Sequence, residues 1–290
     1  MGTKIPLGEW IQVLIGQLTT HFDNQFRVFS DSLSLCLEKA VSGLAWFNPL
    51  SLMVGFVLIL FVLSRNWMNA LLTLLGLLLI LNLGYWHETL ETVSLVVFAT
   101  LISAGIGIPV GIVAAHHPKV YRILQPVLDL MQTIPTFVYL IPTLMLFGLG
   151  MAPGVISTVI FAMPAPIRMT YLGISGVPHS LLEVGEAFGA TSWQRLFQIE
   201  LPHALPTIRA GISQCVMLSL SMVVIAALVG ADGLGKPVIQ ALNTVNIAKG
   251  FEAGIVIVIV AIILDRVLMI RPRRKTPVKL NPALAKENIG

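Results

Sequence analysis

Charge is what this sequence has least of. Only 11% of its 290 residues are charged, against roughly a quarter in an ordinary soluble domain, and that shortage excludes a water-exposed globular surface. With only 14 acidic residues beside 13 phenylalanines, a disordered regulator is excluded as well. Cysteine is nearly absent: Cys36 sits in a polar stretch and Cys215 in an apolar one, so no structural disulfide joins them. The histidines at 21, 87, 116, 117, 179 and 203 form no HExxH pair and have no cysteine partners at zinc spacing, so no metal site is assigned. The N-terminal segment also lacks a basic start, a short apolar stretch and a small-residue cleavage site. The first spanning helix is therefore expected to act as the targeting signal.

What the chain does have is apolar length. Hydrophobic residues make up 56% and the mean hydropathy is +0.87, which points to an all-α polytopic membrane protein. A bilayer core about 30 Å thick needs about 20 apolar helical residues. Seven runs qualify: Leu44 to Leu63, Trp67 to Tyr85, Thr92 to Ala115, Ile134 to Gly150, Met151 to Ile167, Ala210 to Gly230, and Phe251 to Ile270. Asn48 and Pro49 interrupt the first, and Gly150, Pro153 and Gly154 crowd the junction of the fourth and fifth. Both places are candidates for kinks or re-entrant turns.

Orientation follows from where the cations fall, because short cytoplasmic loops retain Lys and Arg. With the N-terminus outside, Arg65, Lys119, Arg122, Arg168, Arg195, Arg209, Arg266, Arg271, Arg273, Arg274, Lys275, Lys279 and Lys286 lie inside, 13 of the 18 basic residues. The loop from Trp86 to Glu91 carries only the acids Glu88 and Glu91 and falls outside. A net charge of +4 is thereby explained by topology, and a nucleic-acid partner is not needed. Four regions follow: residues 1–43 as an external amphipathic segment, 44–89 as two accessory membrane helices, 90–270 as the main transmembrane domain, and 271–290 as a basic cytoplasmic tail.

The longest polar stretch between spans, Leu172 to Ile208, falls in the cytoplasm. Ser180 followed by Glu183 has capping-box spacing, Gly189 supplies a left-handed stop, and Thr191 or Ser192 can cap a second short helix from Trp193 to Ile199 that Pro202 ends. A helix, a tight turn and a second helix are expected to project from the membrane.

Glu183, Gly189, Ile199, Leu201 and Pro202 match the cytoplasmic EAA signature of ABC importer permeases, except that Val184 and Gly185 stand where the family has alanines. The segments Gln132 to Gly150, Leu201 to Gly211 and Ser221 to Gly235 are similar to permeases of quaternary-amine importers, those for glycine betaine, choline or proline betaine. The resemblance covers roughly residues 90–270. It implies a five-helix type I importer core, a second copy of the chain, two ATP-binding-cassette ATPases that carry the ATP and magnesium, and an external substrate-binding protein. This chain would then be no enzyme and would bind no cofactor itself. The resemblance also assigns ATPase coupling to Glu183 and Gly189, with Glu186, Ala187, Ala190, Ile199, Leu201 and Pro202 around them and Trp193, Leu196 and Phe197 as apolar anchors. Gln132, Thr133, Pro135, Phe137, Tyr139 and Ser221 become candidates for the translocation path. Aromatic faces at Phe137, Tyr139 and Phe147 suit a methylated cation.

Gly230, Gly235 and Lys236 reproduce the spacing of a phosphate-binding loop, but Pro237 stands where a Ser or Thr would hold magnesium. Gly107 and Gly111 make a GxxxG face for close helix packing. The rival function, an ion-coupled secondary transporter, calls for acids near mid-span and related halves, and the sequence displays neither. An ABC permease for a different small solute, such as an amino acid, is the nearer alternative.

Overall fold

The structure, a computed structural model, describes residues 7–268. The basic tail expected at 271–290 lies outside the described residues. Within them the chain forms thirteen α-helices, one π-helical turn and one 3-10 turn. The first helix, α1 (Leu7–Ala45), runs 39 residues and leaves Trp10, Val13, Phe22 and Val28 exposed along its length. It is held at Phe147, where Ser30 Oγ donates to the Phe147 carbonyl at 3.0 Å and the Phe26 ring meets the Phe147 ring edge-on at 5.3 Å, and further along by Leu37, which is buried in the main core.

Asn48 and Pro49, read from the sequence as an interruption, start a helix. The Asn48 side chain accepts from Leu50 N at 3.1 Å, and Pro49 occupies the first turn of α2 (Pro49–Ser64), where a missing N–H leaves nothing unsatisfied. Asn66 caps α3 (Trp67–Asn82) in the same way, accepting from Met68 N at 3.1 Å. At 16 residues each, these two span about 24 Å. The next helix, α4 (Trp86–His116), is nearly twice as long at 31 residues.

The expected fourth span, Ile134 to Gly150, holds one helix of only 12 residues, and the chain bends sharply where it begins. Ile134 precedes Pro135, which disfavours helical backbone, and its ψ of 130° separates α5 (Pro118–Thr133) from α6 (Thr136–Phe147). The two helices meet at 96°. The fifth span is longer than its hydropathy indicated, because α7 (Met151–Ala162) and α8 (Pro164–Ser175) make a nearly continuous rod of 25 residues. Pro164 sits in the first turn of α8 and therefore does not stop it. After the short helices α9 (His179–Ala187) and α10 (Ser192–Arg195), α11 (Leu201–Ala226), α12 (Gly235–Asn243) and α13 (Ile247–Leu268) complete the chain. By length and composition four helical stretches suffice to cross a membrane, or as many as six if each of two bent pairs is one span, with α3 a shorter apolar helix beside them.

A bilayer offers little hydrophobic drive for one helix to leave lipid for another, so close backbone approach and van der Waals contact hold such bundles together. Here α8 lies between α4 and α11, and small residues form both seams. A Cβ on Gly111 would stand 2.6 Å from Thr170 Cβ and 2.7 Å from the Ile167 carbonyl oxygen, and one on Gly211 would stand 2.5 Å from Met169 Cβ. Leu95, Val155, Leu220, Val223 and Val256 bury a common core among α4, α7, α11 and α13. Three charges of the bundle have partners: Arg168 of α8 with Asp129 of α5 at 2.5 Å, Asp265 of α13 with the Ser213 hydroxyl, and Arg266 with Asn69 of α3 at 2.7 Å.

The connections gather at two ends. At one, Gly150 N donates to Val229 O at 2.9 Å and Leu234 N to Thr92 Oγ1 at 2.8 Å. At the other, the end of α4 meets the loop between α8 and α11. The phosphate-loop look-alike belongs to the first end, where Gly230 and Gly233 take φ of 89° and 121° in the turn that closes α11 onto α12.

Candidate functional site

The loop from Gly176 to Glu200 is the only long polar excursion from the bundle among the described residues, and local chemistry shapes each part of it. Its first helix, α9, starts at His179 with Pro178 in the cap position, two residues before the Ser180 cap expected from the sequence. Glu183 consequently does not close a capping box; it faces His179 Nδ1 one turn back at 3.0 Å. At the other end of α9, Gly189 takes φ +70°. That left-handed residue lets Gly189 N reach Glu186 O at 2.9 Å and Ala190 N reach Gly185 O at 3.0 Å, a closure available to glycine without steric penalty.

Thr191, and not Ser192, caps the second helix. Its backbone N–H donates to Gln194 Oε1 at 2.8 Å and its hydroxyl accepts from Gln194 N at 3.4 Å, the reciprocal box that orders a short helix. This helix does not end at Pro202. It widens into a π-helical turn over Leu196–Glu200, in which Leu201 N bonds to Leu196 O, and continues directly into α11 with Pro202 in the first turn. A proline there has no N–H to place in the ladder, and the wider turn absorbs the change of register.

The signature residues are thereby drawn together. Gly185 is buried against the π turn: a Cβ there would lie 2.5 Å from Ile199 Cδ1. The departure from alanine at this position therefore lets Ile199 close onto α9. Glu183, Glu186 and Ala187 are exposed on α9, and Ala190 is half-buried. Of the three expected anchors, Trp193 and Phe197 are exposed and stack with ring planes 12° apart. Leu196 turns inward instead and packs against Ile174, Ala204 and Ile208, as does Leu201. Phe188, which sequence reasoning passed over, is 88% exposed at the tip, more than Trp193 at 70%. Its place immediately before the left-handed Gly189 was the signal available, since a side chain at a helix end before a tight turn points outward.

The candidate path residues separate into two groups. Gln132, Thr133, Pro135, Phe137 and Ser221 are exposed, the first four clustered at the elbow between α5 and α6. Tyr139 is buried, and its hydroxyl donates to the Met131 carbonyl at 2.5 Å, so it braces that elbow. Phe147 is engaged by α1, as described above.

Residues 107–274 match the family model of the binding-protein-dependent transport system inner membrane component. The chain belongs to this family. It is 47% identical over 264 residues to the glycine betaine transport system permease protein OpuAB of Bacillus subtilis, covering 91% of this chain and 93% of that one. It is 45% identical over 270 residues to the glycine betaine/carnitine transport permease protein GbuB of Listeria monocytogenes, covering 90% and 94%. Among solved structures, an inward-facing MetNI methionine ABC transporter chain superposes with a TM-score of 0.57 at 25% identity, covering 63% of this permease and 94% of that chain. The fold is that of a type I ABC importer permease. Membership places this permease in the inner membrane as a multi-pass transporter subunit and implies an ATPase and a substrate-binding protein as partners.

Proposed function

We propose that this permease is the transmembrane subunit of an ATP-driven importer of small quaternary ammonium compounds of the glycine betaine class. The observation that carries the reading is similarity along nearly the full length to glycine betaine permeases, joined to a projecting helix-turn-helix that exposes Phe188, Trp193 and Phe197. Two copies of the chain form the pathway, and each presents its loop to one of two ATPase subunits. ATP and magnesium bind those subunits. The N-terminus lies outside, the loop and C-terminus lie in the cytoplasm, and a binding protein delivers cargo to the outer end.

The loop is shaped to act as a rigid lever. α9 is braced on the π turn through Gly185 and Ile199, and the π turn continues without a break into α11, a 26-residue helix packed along α8. A push on the exposed Phe188, Trp193 and Phe197 face is therefore passed to a membrane helix. ATP-driven closure of the two ATPases then shifts the permease pair between two states, which is the mechanical content of alternating access. The exposed polar and aromatic residues at the α5–α6 elbow, Gln132, Thr133 and Phe137 with Ser221 of α11, line the transient path.

The test is uptake of labelled glycine betaine and choline into proteoliposomes containing the permease, its ATPase and its binding protein. ATP-dependent uptake of either is expected. Uptake of an unmethylated amino acid, with neither quaternary amine transported, would replace the cargo and keep the importer class.

A further inference from the structure

Glu200 closes the π turn with its carboxylate pointing into the protein, the side chain only 4% exposed. An isolated carboxylate so placed would be strongly penalised by desolvation, and it survives there only if it is paired. Two cations or potential cations meet it. Arg195 Nε donates to Glu200 Oε1 at 3.0 Å, and His116 Nε2, at the last turn of α4, lies 2.8 Å from Glu200 Oε2. Arg195 also donates from Nη1 to Glu186 Oε1 at 2.8 Å. His116 Nδ1 in turn lies 2.9 Å from the Ile112 carbonyl, so its ring stands between its own helix and Glu200, meeting Oε2 as an ion-pair contact rather than an aligned hydrogen bond.

A single chain of polar contacts thus runs from α9 through Arg195 of α10 and Glu200 of the π turn to the end of α4. The π-helical widening makes this possible, because it turns Phe197 outward and Glu200 inward within one turn. We propose that Glu200 is a positioning residue that locks the coupling loop to α4, so that displacement of the loop moves α4 together with α11. This rests on the reading that the loop is driven by an ATPase. Without the lock, α9 and α10 would remain attached to α11 through the backbone but would slide past α4, and motion would be lost in side-chain rearrangement. The carboxylate works through Arg195 and His116, and touches neither cargo nor nucleotide.

The test compares wild type with Glu200→Gln, Glu200→Asp, Arg195→Gln and the double variant Arg195→Gln/Glu200→Gln in the reconstituted importer. The quantity read is solute taken up per ATP hydrolysed. Glu200→Gln, which keeps shape and loses charge, should retain ATPase association and hydrolysis while uptake per ATP falls on the order of tenfold, and the double variant should fall no further than either single one, because the two residues form one unit. Glu200→Asp should recover part of the loss. An unchanged ratio in Glu200→Gln, or additive losses in the double variant, overturns the proposal.

A second measurement needs no ATPase. In the permease alone in nanodiscs, amides of residues 183–199 should exchange hydrogen faster in Glu200→Gln, with the α11 core from Ser219 to Ala226 unchanged as a report of intact folding. Equal exchange in the loop overturns the lock. Absence of ATP-driven uptake by the wild-type complex would sink the importer reading, while the exchange result would still decide the role of Glu200.

Discussion

Gly111→Ala, set against Gly105→Ala in the same helix, isolates what the α4–α8 seam contributes. Both substitutions gain the same helix propensity, about 1 kcal/mol for Ala over Gly, so this term cancels in the comparison. At Gly105 an added Cβ meets nothing within 4 Å, whereas at Gly111 it would stand 2.6 Å from Thr170 Cβ and 2.7 Å from the Ile167 carbonyl oxygen. A backbone oxygen and a β-carbon cannot rotate away, so α4 and α8 must separate. Overpacking of this kind costs about 1–3 kcal/mol, and that is the expected difference between the two variants. Purified permease in detergent, unfolded by heat and followed by tryptophan fluorescence, should show Gly111→Ala melting several degrees below Gly105→Ala. A Gly111 variant melting at or above the Gly105 variant would refute the close seam, and with it the argument that α8 is gripped tightly enough to carry force from the loop.

Other substitutions address the loop and the topology. Gly189→Val should uncouple transport without preventing membrane insertion: the space around this Cβ is open, so the penalty is the left-handed backbone alone, about 1 kcal/mol or more for a β-branched residue. Expression near normal with lowered uptake is the expected pattern, and normal uptake would remove the turn from the mechanism. Phe188→Ala and Trp193→Ala should each weaken ATPase co-purification, whereas Leu196→Ala, half-buried and facing inward, should lower stability by less than the about 2–5 kcal/mol of a fully buried leucine. Equal effects of all three on co-purification would mean that exposure does not mark the docking face. An impermeant maleimide applied to intact spheroplasts should label exposed Cys36 and spare buried Cys215. Labelling of Cys36 only after lysis would invert the topology.

Much of this protein is decided by local rules that a sequence displays openly. Apolar runs separated by Asn-Pro, Gly and charged residues already state that the chain is helical and belongs in a membrane, because lipid leaves backbone polar groups no partner outside a helix or a closed barrel. Capping by Thr191 and the left-handed turn at Gly189 depend on residues a few positions apart, so they too were legible. The spacing of Glu183, Gly189, Ile199, Leu201 and Pro202 was readable for the same reason.

Tertiary contact decided the rest. Asn48 and Pro49 could as well have kinked a helix as begun one. Pro135 locally disfavours helix at Ile134, but the 96° angle of the elbow that Tyr139 braces is not set by any local rule. Pro202 was a plausible stop until the π turn carried the chain through it. Glu200 reads as an ordinary loop acid, since its partner His116 lies on another helix far away in sequence. Charge pairing and steric contact act through space, so burial of Glu200, the inward turn of Leu196 and the glycine seams of α8 exist only once distant segments have packed.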